Sequence, residues 1–147
     1  MSRIPINGIH LNVEIAGTGP PLVAIHGFMG SVATWEQLVS AAMDNYTIIA
    51  VDMLGHGKSD SPRDPKRYCM EHCVADLAGL LAHLNIPRVH WIGYSMGGRI
   101  ALSAALALPQ CTSTVIAESA SSGMATTEER SDRVIDDEML ADWVEEV

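Results

Sequence analysis

One serine in this chain is set where its hydroxyl could attack a carbonyl or take a proton. Ser95 lies at the centre of Gly93-Tyr94-Ser95-Met96-Gly97, a G-x-S-x-G pentapeptide. An apolar run, Val89–Ile92, precedes it, and an Ala- and Leu-rich run, Gly97–Leu108, follows and stops at Pro109. A strand turning sharply into a helix is the context such a motif requires. The turn is tight enough to hold the serine at a strained backbone angle, and its flanks must be glycine to avoid clashes. It lifts Ser95 Oγ to the end of a strand and the start of a helix, where developing negative charge is favoured. An oxyanion there needs two backbone N–H donors. Met96, the residue after the serine, supplies one. Phe28, in the loop His26-Gly27-Phe28-Met29-Gly30 after an earlier apolar run, is expected to supply the other.

A serine at its ordinary acidity is a poor base and a poor nucleophile, so it needs a histidine beside it. His26 reads as a brace for its own loop. His90 opens the strand that ends at the serine, roughly 16 Å away at ~3.3 Å per residue. His72 and His83 fall on a covering helix and His10 in an outer hairpin. His56 is the nearest candidate, and Glu118 is a candidate triad acid at the end of the last strand. The chain therefore reads as the first part of a longer enzyme, catalytically poor without an acid and histidine from further on.

Two other motifs invite chemistry. Asp52-Met53-Leu54-Gly55-His56-Gly57-Lys58-Ser59 ends like a phosphate loop, but that loop needs a glycine where Asp52 stands. A tight turn shaping a pocket rim is expected instead. Cys69 and Cys73 flank His72 in a C-x-x-H-C run, without the second ligand pair that a closed zinc site uses. They read as small, half-buried helix residues, and no metal or cofactor is called for.

The elements that must position Ser95 alternate. Strands are expected at Ile4–Ile6 and His10–Ile15, joined by an Asn7-Gly8 hairpin turn, and at Pro21–Ile25, Tyr46–Val51, Val89–Gly93 and Thr112–Ala117. Helices are expected at Trp35–Met43, Glu71–Leu84 and Gly97–Leu108, with an acidic helical stretch at Thr127–Val147 capped by Thr126 or Thr127. Thr112–Ala117 reads as another buried strand. Apolar strands between helices mean a mostly parallel α/β sheet covered on both faces, with ligands beyond the strands' carboxyl ends.

The 147 residues fit one domain, and 48% hydrophobic with 18% charged residues is ordinary for a soluble protein. The net charge of −9 is uneven. Residues 1–117 hold eight acids and seven bases; residues 118–147 hold ten acids against Arg130 and Arg133. No basic face is offered to nucleic acid. With no long apolar span and no apolar leader, no membrane partner is expected and the cytoplasm is the default. Three cysteines without a leader argue for reduced thiols.

In this order and spacing, the His26, Asp52–Ser59 and Gly93–Gly97 motifs resemble the α/β-hydrolase superfamily, over essentially the whole chain. The resemblance implies a core at residues 1–120, cut after about its sixth strand with Thr112–Ala117 outermost, and the start of a helical cap at 121–147. An open Thr112–Ala117 edge would promote self-association or poor solubility. A narrower set is similar to the 2-succinyl-6-hydroxy-2,4-cyclohexadiene-1-carboxylate synthase family of menaquinone biosynthesis. It comprises Gly93 through Arg99, Val115-Ile116-Ala117-Glu118-Ser119, and Glu128-Glu129-Arg130-Ser131-Asp132-Arg133. That family eliminates pyruvate from a succinyl-enolpyruvyl-hydroxycyclohexene carboxylate without a cofactor. By resemblance Ser95 would act in proton abstraction, with the Phe28 and Met96 amides holding the enolate-like charge. Arg99, Arg130 and Arg133 would bind the small-molecule carboxylate substrate, a role guanidinium suits. Tyr94 and Trp143 would supply pocket surface. Arg130 and Arg133 equally read as surface partners of Glu128, Glu129, Asp136 and Asp137. An esterase, a carbon–carbon-bond hydrolase and a non-catalytic fragment remain as other readings.

Overall fold

The chain begins with a hairpin whose turn is dictated by two residues. Asn7 (φ 49°) and Gly8 (φ 83°) join β1 (Ser2–Ile6) to β2 (Ile9–Ala16), with Ile6 opposite Ile9. Two central residues at positive φ match the twist of the flanking strands, which is why Asn-Gly suits the position. The structure is a computed structural model and describes residues 2–123. Beyond the hairpin follow β3 (Pro21–Ile25), α1 (Glu36–Ala42), β4 (Thr47–Val51), α2 (Met70–His83), β5 (Val89–Tyr94), α3 (Met96–Ala107) and β6 (Thr112–Glu118). The six strands form one sheet in the order β1-β2-β4-β3-β5-β6. β1 and β2 are antiparallel to their neighbours, and β4, β3, β5 and β6 run parallel. The carboxyl ends of those four strands therefore share one edge, and the His26, Asp52–Ser59 and Gly93–Gly97 motifs sit at the ends of β3, β4 and β5.

Among the described residues the expected elements are present with their ends shifted by a residue or two. The expected Trp35–Met43 helix is divided. Ser31 accepts from the Ala33 amide at 3.3 Å and starts a 3-10 turn at Val32–Trp35, and α1 follows only from Glu36.

Two hydrophobic layers sandwich the sheet. On one face Val23, Ile25, Ile49, Val51 and Trp91 pack against Leu77, Leu80 and Leu81 of α2 and Ile100, Ala101 and Ala104 of α3. On the other, Leu22, Ala24, Ile48 and Ala50 meet Trp35 and Leu38, Val39 and Ala42 of α1. α2 is also tied to the hairpin. Its buried Asp76 carboxylate accepts from Arg67 Nη2 at 2.7 Å and from Asn7 Nδ2 at 3.1 Å.

Thr112–Ala117 is not the buried strand its composition suggests. β6 lies at the sheet's edge, and α3 covers one side, where Val115 joins the core. Ile116 shares the opposite face with Ile92 and is 54% exposed, because α1 packs over the sheet's centre instead. The cysteines differ as well. Cys69 is an exposed residue capping α2, with Sγ 3.2 Å from His72 Nδ1, and Cys73 is partly buried. Among the described residues no three His, Cys, Asp or Glu side chains are grouped to hold a metal ion. No helix among them is long and apolar enough to cross a membrane. The acidic stretch at 127–147 and the 1–120/121–147 boundary reach outside the described residues.

The two layers give a direct check. Leu80 is fully buried between α2 and the sheet, whereas Leu106 is 84% exposed. Leu80→Ala should cost about 3 kcal/mol of unfolding free energy. Leu106→Ala should cost less than about 0.5 kcal/mol. Urea denaturation followed by circular dichroism reads both.

Candidate active site

Ser95 stands between β5 and α3 at φ 52°, ψ −113°. That is a sparsely populated conformation for a residue with a side chain, costing of order 1–3 kcal/mol. Its neighbours show why glycine flanks it. A Cβ on Gly93 would overlap the Gly97 carbonyl, and a Cβ on Gly97 would overlap the Ile25 carbonyl at the end of β3. The helix thus starts in backbone contact with the adjacent strand, which leaves the serine little other direction to take. The Ser95 amide is not part of the anion site. It donates to the Glu118 carbonyl at 2.9 Å, extending the β5–β6 pairing past the turn. The Arg99 amide closes the first helical turn onto the Ser95 carbonyl at 3.2 Å.

The second expected donor sits in a turn of its own. Gly30 N–H donates to Gly27 O at 3.0 Å, with Phe28 and Met29 between them and Met29 at φ 62°. Among the described residues, neither the Phe28 amide nor the Met96 amide is taken by a protein acceptor. Phe28, Met29 and Tyr94 are 63%, 83% and 43% exposed, giving the strand ends an apolar rim. Tyr94 lies directly on this loop, since a Cβ at Gly27 would come within 2.8 Å of its ring.

His26 is buried, and its two partners fix its tautomer. Nδ1–H donates to Gly27 O at 2.8 Å, and Nε2 accepts from Met53 N–H at 3.0 Å. Burial lowers its pKa below 6.5, against the opposing pull of the Gly27 bond; nearby His56 lowers it further and Asp52 raises it. His26 is thus a neutral brace, with no lone pair left to act as a base. The Asp52–Ser59 turn is likewise structural. The Asp52 carboxylate, 1% exposed, fills the space a phosphate would take. It accepts from the Lys58 amide at 2.9 Å and from Asn12 Nδ2 at 2.8 Å, and a Cβ on Gly57 would overlap it. Sequence reasoning treated Asp52 only as a misfit to a nucleotide motif. An acid at the end of an apolar strand followed by two spaced glycines was the available signal.

The remaining expected residues separate into groups. Arg99 is half-buried on the first turn of α3 and has no ion-pair partner among the described residues. Glu118 is exposed and pairs with Tyr94 in the β5–β6 register. Arg130, Arg133 and Trp143 lie outside the described residues. All six histidines of the chain are described, and none is hydrogen-bonded to Ser95. His10 contacts Asp60 at 3.3 Å, and His90 contacts Thr114 Oγ1 at 2.7 Å near the start of β5. His56 packs on His26 and Phe28, with ring centroids 4.9 and 5.9 Å apart, and donates Nδ1–H to Leu54 O at 3.1 Å.

Comparison with known proteins agrees with this geometry. A family model described as alpha/beta hydrolase fold matches residues 20–144. A Bacillus subtilis (strain 168) protein, named provisionally as a 2-succinyl-6-hydroxy-2,4-cyclohexadiene-1-carboxylate synthase, is 40% identical over 134 residues, 88% of this chain and 48% of its own length. An epoxide hydrolase of Caballeronia sordidicola is 39% identical over 72% of this chain and 32% of its own. Among solved structures, E-2-(acetamidomethylene)succinate hydrolase superposes with a TM-score of 0.74 at 35% identity, over 79% of this chain and 42% of the other. The chain spans about half the length of the first of these curated relatives and about a third of the second.

A neutral His26 makes the strand-end loops acid-sensitive. Its folded pKa is depressed, so its contribution to stability is complete above pH 6.5 and is lost as pH falls through the folded value. The urea midpoint should therefore drop as pH is lowered below about 6.5. His26→Gln should be less stable at neutral pH but show a flatter response over the same range.

Proposed function

The chain belongs to the α/β-hydrolase fold family, and from that premise we propose that it carries the nucleophile half of a lyase active site. The reaction is elimination of pyruvate from a succinyl-enolpyruvyl-hydroxycyclohexene carboxylate in menaquinone biosynthesis. The observation that carries the reading is the strained Ser95 at the start of α3, with the Phe28 and Met96 amides free of protein acceptors among the described residues. The choice of lyase is supported by the 40% identity to the Bacillus subtilis protein and by Arg99, one turn from the serine and without an ion-pair partner among the described residues.

In the proposed reaction Ser95 Oγ takes a ring proton, with its own proton passed to a histidine that is not among this chain's six. The carbon–hydrogen electrons move into conjugation with the succinyl ketone, and enolate charge builds on that ketone oxygen between the Phe28 and Met96 amides. Amides already fixed in place stabilise that charge without reorganising, which is where such sites gain most of their rate. The carbon–oxygen bond to the enolpyruvyl group then breaks, the leaving oxygen takes the proton held by that histidine, and the resulting enol tautomerises to pyruvate. Arg99 holds a substrate carboxylate, and Arg130 and Arg133 are proposed to hold others. In a chain of net charge −9, such local cations are what would retain a polyanionic substrate.

A hydrolase is the second reading, favoured by the likeness to E-2-(acetamidomethylene)succinate hydrolase. The same serine and amides would then attack a carbonyl. The arginine separates the two. If the lyase reading holds, Arg99→Ala lowers pyruvate release by at least about 100-fold and leaves p-nitrophenyl acetate hydrolysis within about threefold. Ser95→Ala abolishes both. A coupled lactate dehydrogenase assay reads pyruvate, and absorbance at 405 nm reads the ester. Ester hydrolysis without pyruvate release favours the hydrolase. Neither activity, in the presence of folded protein, favours a non-catalytic segment.

A further inference from the structure

The turn carrying the Phe28 amide is held at both ends by consecutive residues of another loop. At its start, His26 Nε2 accepts from Met53 N–H at 3.0 Å. At its finish, Val32 N–H donates to Asp52 Oδ1 at 2.7 Å. Only residues 27–31 hang between these clips, closed on themselves by the Gly30–Gly27 bond. Asp52 and Met53 follow directly on β4, the strand hydrogen-bonded beside β3, from which the loop emerges. The carboxylate is fully occupied: Oδ1 by Val32, and Oδ2 by Asn12 Nδ2 and the Lys58 amide. All three partners are donors, so only an acceptor-only side chain satisfies them together. A buried carboxylate without such donors would be costly, so these bonds hold it, and it holds them.

We propose that Asp52 is a positioning residue that sets where the Phe28 amide points, by clamping the Val32 end of the oxyanion loop. The proposal rests on the assignment of Phe28 as an oxyanion donor. Asp52 touches no reacting atom; it acts through Val32. An isosteric asparagine would turn an NH2 group toward at least one of the three donors, and the clip would open there.

The test uses the full chain and two substitutions. Asp52→Asn converts the acceptor. Val32→Pro keeps the carboxylate and deletes the N–H, while replacing the Val32 side chain that packs beside Trp35 and α1 with another apolar one. Val32 is the first residue of its 3-10 turn, where proline is tolerated, and Ser31 before it is extended (φ −155°, ψ −177°), as a residue preceding proline must be. Amide hydrogen exchange by NMR is read residue by residue. Both variants should raise exchange at Gly30, the loop amide bonded to Gly27 O, by at least about tenfold, while the Arg99 amide and the β5 amides stay as they are. In p-nitrophenyl acetate hydrolysis both should lower kcat by about tenfold with KM unchanged. A uniform rise across the sheet in both variants would show that Asp52 is only a structural support. Unchanged exchange at Gly30 would show that the clip positions nothing. If the chain has no esterase activity, which the missing histidine alone accounts for, the exchange data decide the role of Asp52. If Asp52→Asn does not fold, Val32→Pro decides it by the same two criteria.

Discussion

The site depends on one close approach: the first turn of α3 lies against the backbone of β3, with Gly97 in contact with the Ile25 carbonyl. No side chain fits between them. Because β5 must deliver the chain to that point, the connecting residue is forced into a conformation that a side chain ordinarily avoids, and that residue is Ser95. Strain of this kind persists only where the surroundings over-determine it. Here they do so from three directions. Gly93 lets the turn fold onto Gly97, Glu118 takes the Ser95 amide, and the helix closes through Arg99. The serine's position is thus a consequence of sheet packing, and the hydroxyl inherits the precision of the core beneath it.

The second half of the site is built differently. The loop bearing Phe28 has an exposed side chain at its tip and few apolar contacts to hold it. Hydrogen bonds do the work instead, from a neutral buried imidazole at one end and a buried carboxylate at the other. Both groups need complete sets of partners to be tolerated inside the protein, and each finds them on a neighbouring loop. Two strand-end loops and one strand are therefore one polar unit: the oxyanion turn, the Asp52–Ser59 turn, and β2 through Asn12. Polar satisfaction and site geometry are the same requirement here.

Much of this was legible in the sequence, for reasons that can be named. The G-x-S-x-G motif between an apolar run and an Ala-rich run announces a steric constraint that glycine alone resolves, and the structure shows that constraint at Gly93 and Gly97. Apolar strands bounded by turn residues gave the sheet, and Asn7-Gly8 gave the hairpin. What escaped was set by tertiary neighbours. Thr112–Ala117 looks buried by composition, yet its face depends on which helix covers it, and α1 lies elsewhere. Asp52 looks like a failed phosphate motif, because the three donors that explain it come from positions 12, 32 and 58. Cys69 falls outside its helix because the cap, which periodicity does not reveal, sits one residue earlier than the apolar pattern.

The central claim is that packing forces Ser95 into a backbone angle that penalises any side chain. Ser95→Gly tests its sign most directly, through the unfolding free energy in urea. Glycine adopts positive φ without penalty, so the account predicts a protein more stable than the parent by about 1 kcal/mol. At an unstrained position the same change would lower stability through the added freedom of the unfolded chain. A loss of stability in Ser95→Gly would contradict the account.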